Sequence, residues 1–514
     1  MPPIGQLEDK YFPTLLPPGV PNWHETLVVP HVDGDAYFAA IADALDAVSG
    51  PGDRIYITTW CFNPELTLRR GQASSRLEDI LLAKSQAGAD VRVIAAAPRF
   101  SFSSEGRNPF EVDFWVWASA AVFGRDLEDI VTQNVRSIRY LRQQGGPQMA
   151  QRLLLDWGGR ADSRHEKVTI VYNSALNELR AFVGGIDYRE DRRSDEPHDN
   201  GWWHDGGFEL LAGAAAAVAA NFLTRWIETS TLPPQMYMLD GIAEQFNPTT
   251  ALLAPWTASG TPKPLPAAAQ PGQYLGASVR VIRSYDMIRA MKVSYTDPYL
   301  QWQTLPPLGV RETLQLLEKA IPAAVSYIYI EDQTLNPSVA ERLYAPHTNV
   351  FPLLSAACAR GVKVILVTSG YNGPDAPMPQ TTRSAEITQR ILNPLTAAQR
   401  DNFAAFYIRD TKVHTKLVMI DDEFVLLGSA NMWDRSMVGF ESEVGVALVH
   451  EGDANSLMGD LRVRLWRNHL RVLQSAAVDA ELRDTSLSFG IFNAAWGAGV
   501  SFPYPLNAFR PILP

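Results

Sequence analysis

Hydrophobic positions along the chain recur twice in the same order. Asp53-Arg-Ile-Tyr-Ile-Thr-Thr-Trp60 is β-branched and aromatic over most of its length, the pattern of a buried strand. Arg76 to Ala87 then carries helical spacing, Gly88 interrupts it, and Val91-Arg-Val-Ile94 reads as a second strand. In the later copy Ser326-Tyr-Ile-Tyr-Ile330 is the strand and Phe351 to Arg360 the helix. Gly361 is its C-cap, and Val362-Lys-Val-Ile-Leu-Val367 is the next strand. Strand, helix and parallel strand make a βαβ unit. The chain is therefore expected to be α/β, with two pseudo-symmetric α/β/α lobes, each holding a mixed, largely parallel sheet.

A third element repeats in the same place. His165-Glu166-Lys167 opens the apolar run Val168-Thr-Ile-Val-Tyr172, and a second run ends at Val183-Gly184-Gly185-Ile186-Asp187. Later, His414-Thr415-Lys416 opens Leu417-Val-Met-Ile420-Asp421, and its partner run ends at Leu427-Gly428-Ser429-Ala430-Asn431. Both read as hairpins, the first with a longer turn over Asn173 to Asn177. A compound pattern repeated in order after the same βαβ unit points to duplication.

Length and composition fit that division. The 514 residues divide into an N-terminal lobe over 1–247, a Pro-rich linker over 248–277 and a C-terminal lobe over 278–514. Segments from about 100 to 160 and from 371 to 405 read as insertions beside the site. With 46% hydrophobic residues, a disordered or low-complexity chain is excluded. The balance of 45 Lys plus Arg against 56 Asp plus Glu gives a net charge of −11, which disfavours a broad face for nucleic acid. It leaves room for a small phosphate site. Cys61 and Cys358 are too few for a disulfide framework or a structural zinc site and read as buried small hydrophobes. The apolar window Leu210 to Ala220 is too short to span a bilayer, so an internal helix is expected and no transmembrane segment. Met1 to Lys10 has no basic stretch followed by an apolar run, so no signal peptide is expected and location stays open.

On a strand, residues i and i+2 face the same side, so His165 and Lys167 project together, as do His414 and Lys416. A histidine can serve as nucleophile or general acid/base, and a lysine beside it can fix a phosphate oxygen. If the lobes pack about a pseudo-twofold axis, both pairs meet in one cleft at the lobe interface, with Ser429 and Asn431 adding neutral donors. One histidine would attack phosphorus while the other protonates the leaving oxygen. The second would then deprotonate the incoming water or alcohol. The scheme needs no metal and no cofactor, because the lysines neutralise the developing charge.

These residues carry a resemblance. His414-x-Lys416-x4-Asp421-x6-Gly428-Ser429-x-Asn431 resembles the signature of the phospholipase D superfamily, and His165-x-Lys167 with Gly184-Gly185-Ile186-Asp187 is similar to the N-terminal copy of two-lobed members. Trp203-His204-Asp205, Glu331-Asp332-Gln333, and Arg462-Val-Arg-Leu-Trp466 with His469-Leu470 resemble further segments of the phospholipid-cleaving branch. The resemblance implies that His165 is the nucleophile and His414 the general acid/base. It implies that Asp205 and Glu443 orient the imidazoles, and that Lys167, Lys416, Asn431 and Ser429 hold the phosphate. Gly185 and Asp187 stand in the first lobe where Ser429 and Asn431 stand in the second. One departure is Tyr172, where the motif has an acid.

The implied reaction is hydrolysis of a glycerophospholipid at a membrane or micelle surface. It gives phosphatidic acid and a free head group through a phosphohistidine intermediate, with transfer to an alcohol open to the same intermediate. Phe100, Phe102, Phe110, Phe114, Trp115 and Trp117 are candidates for an apolar cleft mouth, although Phe114 to Trp117 also reads as core packing. A monomer suffices, since one chain holds both motifs. The rival readings are a nuclease or other phosphodiesterase with the same site, and a non-catalytic lipid-binding relative.

Overall fold

The computed structural model describes residues 2–15, 20–97, 126–156, 163–195, 203–230, 235–239, 242–246, 265–285, 310–333, 350–369, 387–408, 411–432, 436–437, 441–451, 456–472, 474–497 and 501–503. The first half contains β1 (Thr26–Val32), β2 (Arg54–Thr59), β3 (Asp90–Ala96), β4 (Leu153–Asp156), β5 (Ser163–Arg164), β6 (Val168–Asn173), β7 (Glu178–Gly184), β8 (Trp203–His204) and β9 (Gly206–Ala212). Seven of these form a sheet in the order β1-β9-β7-β6-β2-β3-β4. A separate ribbon pairs β10 (Gln235–Leu239) with β11 (Ile242–Phe246).

The second half repeats the plan. Its strands are β12 (Ser278–Tyr285), β13 (Val310–Arg311), β14 (Tyr327–Asp332), β15 (Lys363–Thr368), β16 (Phe403–Ile408), β17 (Lys412–Val413), β18 (Leu417–Ile420), β19 (Phe424–Gly428), β20 (Glu441–Val449) and β21 (Ser501–Pro503). The order β12-β20-β19-β18-β14-β15-β16 copies the first sheet strand for strand, with β13 and β21 added at the edges. Both sheets are mixed, as expected. Within the two repeated seven-strand orders, parallel pairing is confined to β2-β3-β4 and β14-β15-β16, because the His-x-Lys hairpins force antiparallel neighbours. The segments read as insertions contain the third parallel strand of each lobe, β4 and β16. The first is short and the second Ala-rich, so neither announced itself.

Central strands are buried at almost every position because both faces are covered. On β2, Tyr56 faces a core shared by the two halves, while Ile55 and Ile57 face the first half's outer core. On β14, Tyr327 and Tyr329 point inward, and Ile328 and Ile330 outward. The shared core holds the helices Gly213–Ser230 and Leu457–Leu470, whose side chains pack with both sheets. Small residues Ala214, Ala215, Ala217 and Ala219 let the first of these helices lie close, and Phe222 stacks on Tyr56 at 4.8 Å between ring centroids. The apolar window is thus an internal helix, as expected. No helix among the described residues is long and apolar enough to cross a membrane.

One expectation about the lobes is corrected. The helix Ile4–Tyr11, placed by sequence with the first lobe, packs on the second lobe's outer core through Leu7 and Tyr11. Tyr11 stacks on Phe424 and donates to Glu423 at 2.7 Å, while Lys10 pairs with the same carboxylate at 2.6 Å. The Pro-rich stretch lies outside the described residues up to 264. Beyond it Tyr274 bridges Val28, and Val279 bridges Trp23.

Candidate active site

Two short parallel ladders join the halves and build the site. β5 pairs with the start of β20, Ser163 opposite Glu441 and Arg164 opposite Ser442. β17 pairs with β8, Lys412 opposite Trp203 and Val413 opposite His204. Each ladder delivers a motif histidine and, from the other half, a carboxylate. His165 donates its backbone N–H to the Ser442 carbonyl at 3.0 Å, and the next residue there is Glu443. His414 donates its own to the His204 carbonyl at 2.8 Å, and the next residue there is Asp205.

The side chains follow that geometry. His165 Nδ1 lies 3.0 Å from the Ser429 carbonyl oxygen and 3.2 Å from both oxygens of Glu443. All three are acceptors, so Nδ1 carries the proton and Nε2 keeps its lone pair. His414 Nδ1 lies 2.6 Å from Asp205 Oδ2, which fixes the same tautomer. Trp60 meets His165 edge-on, and Trp203 lies 5.2 Å from His414. Burial, with Lys167 next, pushes the His165 imidazole down to about 3. Burial, with Lys416 next, holds His414 well below its ordinary value. Burial raises Glu443 to about 7 and Asp205 to about 6, against the pull of nearby lysines.

The lysines differ. Lys167 donates to the His165 carbonyl at 2.8 Å and pairs with Asp187 at 3.6 Å. Asp187 also accepts from Thr59 Oγ1 at 3.1 Å and from the Cys61 backbone N–H at 2.9 Å. Burial opposes its ionisation, but Lys167, Arg192 and the Cys61 N–H outweigh it and hold its pKa below the usual range. Lys416 donates to the His414 carbonyl and has no carboxylate within ion-pair distance among the described residues. Burial lowers it to about 8.

The remaining sequence candidates divide between contact and support. Asn431 is 5% exposed, and its amide oxygen has no hydrogen-bond partner among the described residues. Ser429 Oγ donates to the Val444 carbonyl at 3.1 Å and accepts from the Val444 N–H at 3.0 Å. Its hydroxyl therefore locks β20 in place, and its carbonyl orients His165. A Cβ on Gly185 would overlap the Asp205 carboxylate, so this glycine is required by close approach. Both cysteines are buried and free, as read. The six aromatic candidates from Phe100 to Trp117 lie outside the described residues.

Behind Asp205 runs a buried polar chain to which sequence reasoning assigned no role. His204 lies 2.7 Å from Asp33 through Nδ1 and 2.9 Å from Glu331 through Nε2. Glu331 also meets His469 Nε2 at 2.8 Å and accepts from Tyr329 at 2.7 Å, and Asn468 donates to Asp33 at 2.5 Å. All four titratable groups are fully buried. Burial works against charge on His204, but Asp33 and Glu331 raise it well above its ordinary value; Glu331 is correspondingly held down by its histidines despite burial. His204, Glu331 and His469 are close enough to share a cation. Yet His204 turns both nitrogens to carboxylates, the habit of an imidazolium rather than of a metal-bound imidazole. Arg192, whose charge reaches Asp187, Asp205, His414 and Lys416, was also missed.

Comparison with known proteins agrees with this architecture. Residues 317–465 match the family profile described as "Cardiolipin synthase, PLD-like domain". Phospholipase D2 of Bos taurus is 24% identical over 85% of this chain and 51% of its own length, so the chain spans about half of that relative. Phospholipase D alpha 1 of Arabidopsis thaliana is 36% identical over 13% of this chain and 9% of its own. Among solved structures, phosphatidylserine synthase of Haemophilus influenzae Rd KW20 shares the fold, with a TM-score of 0.52 and 11% identity over 96% of this chain and 99% of that one. The chain is thus similar to phospholipase D superfamily proteins in sequence and in fold.

Proposed function

We propose that the chain is a phosphodiesterase that cleaves glycerophospholipids on the head-group side of phosphorus, through a phosphohistidine. The observation that carries this reading is the pair of half-sites. Each imidazole has Nδ1 held by acceptors that include a carboxylate from the opposite half, and a lysine two residues on. His165, neutral through burial, attacks phosphorus through Nε2. Lys167, Lys416 and the Asn431 amide hold the non-bridging oxygens. An anionic phosphodiester between the lysines favours a proton on His414, which His414 then gives to the leaving oxygen. His414, now neutral, takes a proton from water or an alcohol, and that oxygen opens the phosphohistidine. Phosphatidic acid or a phosphatidyl alcohol results, and His165 is restored. One chain carries both half-sites, so a monomer is enough for the cycle.

The similarity to phospholipase D2 over most of the chain supports a phospholipid over a nucleic acid substrate, as does the acidic charge balance. The test is product analysis by mass spectrometry after incubation with mixed phospholipids, ethanol and a chelator. Wild type is expected to give phosphatidic acid and phosphatidylethanol, and His165→Ala and His414→Ala neither. Absence of any lipid product from wild type would overturn the reading.

A further inference from the structure

Trp203 lies beside His414 on the β8–β17 ladder, with its ring 5.2 Å from the imidazole. Its cross-strand partner Lys412 places an ammonium 3.5 Å from the ring centroid, and Arg192 places a guanidinium 3.4 Å from it. The indole is thus bracketed by two cations. Arg192 comes from the turn Glu190–Arg192, is 3% exposed, and pairs with Asp191 at 3.0 Å. Asp191 is divided with Arg189 at 3.2 Å, and Arg192 Nε has no acceptor among the described residues. Buried donors of a charged group left without acceptors are costly, and an incoming oxyanion would satisfy them.

We infer that Arg192, Trp203 and Lys412 form a subsite for an anionic group on the phospholipid head group, of the kind a carboxylate-bearing, serine-type head group provides. The inference rests on the phospholipid reading above and names the substrate class it favours. The side of the site follows from the mechanism: His414 protonates the leaving oxygen, so the head group departs past the residues next to His414, and Trp203 is one of them. Charge type follows from the bracket. An aromatic ring recognises a quaternary ammonium through an open face. Trp203 already carries two cations within 3.5 Å of its ring centroid, so a choline head group meets like charge, whereas a carboxylate meets two donors. Arg192 offers the planar fork that suits it, and Lys412 a point charge.

Phosphatidylserine and phosphatidylethanolamine differ by one carboxylate, which isolates the contact. Short-chain forms of both, and of phosphatidylcholine, assayed below their micelle concentration, remove any effect of surface charge. The expected kcat/KM order is serine over ethanolamine by about tenfold, the worth of one charge-assisted contact, with choline lowest. Arg192→Gln and Lys412→Gln should each bring the serine-to-ethanolamine ratio toward one, and Arg192→Lys should restore part of it. Lys412→Gln carries the test if loss of the buried guanidinium unfolds the first variant. Turnover of all three lipids without preference for serine, or a ratio that Lys412→Gln leaves unchanged, overturns the inference alone. Turnover of none removes the phospholipid reading and the inference with it.

Discussion

The two half-sites share one backbone plan and differ in how firmly each imidazole is held. His165 divides its Nδ1 proton among a carbonyl and two carboxylate oxygens at 3.0–3.2 Å, and its side chain is 12% exposed. The His414 Nδ1 has one acceptor among the described residues, Asp205 at 2.6 Å, and its side chain is 6% exposed. Behind Glu443 stands the Ser436 hydroxyl, donating at 2.7 Å, whereas behind Asp205 stands the chain of Asp33, His204, Glu331 and His469. Lysine pairing also differs: Lys167 pairs with Asp187, whereas in the second motif the residue at the place of Asp187 is the neutral Asn431. Duplication supplied two equal frames, and the difference in charge around them fits the proposed division between a histidine that attacks phosphorus and one that passes a proton to and fro.

The largest expected effect tests those roles directly. His165→Ala and His414→Ala should each lower kcat/KM on phospholipid by roughly ten-thousand-fold. A phosphodiester with a p-nitrophenol leaving group needs no proton donor, so His414→Ala should recover a burst of nitrophenol on it while His165→Ala stays silent. The reverse pattern would exchange the two roles. Next come the orienting acids. Asp205→Asn should cost about a hundredfold or more in kcat/KM, because among the described residues its bond alone fixes the His414 tautomer. Glu443→Gln should cost about tenfold, because the Ser429 carbonyl still holds His165. Equal losses would dissolve the contrast.

Equivalent backbone positions behind the acids give a stability test. His204→Gln leaves Asp33 and Glu331 buried without their shared cation, and an unfolding free energy lower by about 3–5 kcal/mol is expected in urea titration. Ser442 occupies the matching place in the other ladder, and among the described residues its hydroxyl meets only Arg164, at 3.4 Å. Ser442→Ala should cost no more than about 1 kcal/mol.

The pH profile separates the lysines. Burial lowers Lys416 to about 8 although Asp205 opposes it. The phosphate contact needs its cation, so kcat/KM should fall as pH rises through about 8. Lys416→Arg, always charged, should lose that alkaline limb at some cost in maximal rate. A limb that persists in the variant would assign it to another group.

These contrasts also mark what could be read from the chain. The βαβ units, the hairpins and the two His-x-Lys pairs are local patterns with a fixed period, and they stand where expected. Asp205 and Glu443 match by order and spacing, and the ladders explain why: each follows two residues that pair with the short strand before the opposite histidine. The chain from Asp33 through His204 and Glu331 to His469 joins residues 171, 127 and 138 positions apart. No spacing encodes such pairs before the lobes dock. Arg192 sits in Arg189-Glu-Asp-Arg-Arg193, which reads as a solvated charge run; only tertiary packing shows that Arg192 and Arg193 are buried.

Tyr172 yields the smallest expected effect and resolves the one departure from the motif. Five residues of strand separate it from Lys167, about 16 Å at 3.3 Å per residue, so this position lies at the far end of β6 from the site. Its counterpart Asp421 accepts the N–H groups of Val325 and Ser326 at 2.8 Å and of Tyr327 at 2.9 Å, tying down the start of β14. In the first lobe Asp53 does the corresponding work, accepting from the backbone of Ser49, Gly50 and Ser174. Burial opposes its ionisation, but those bonds with the Ser174 hydroxyl outweigh it and bring its pKa to about 2. Tyr172 instead sends its hydroxyl to Asn177 at 2.9 Å. Tyr172→Asp should therefore leave kcat/KM within about twofold while lowering stability by about 1–3 kcal/mol, through loss of a buried ring and a second carboxylate near Asp53. Parallel urea titration and turnover assays check both halves. A tenfold rise in turnover would show that the tyrosine restrains the site from the far end of the strand.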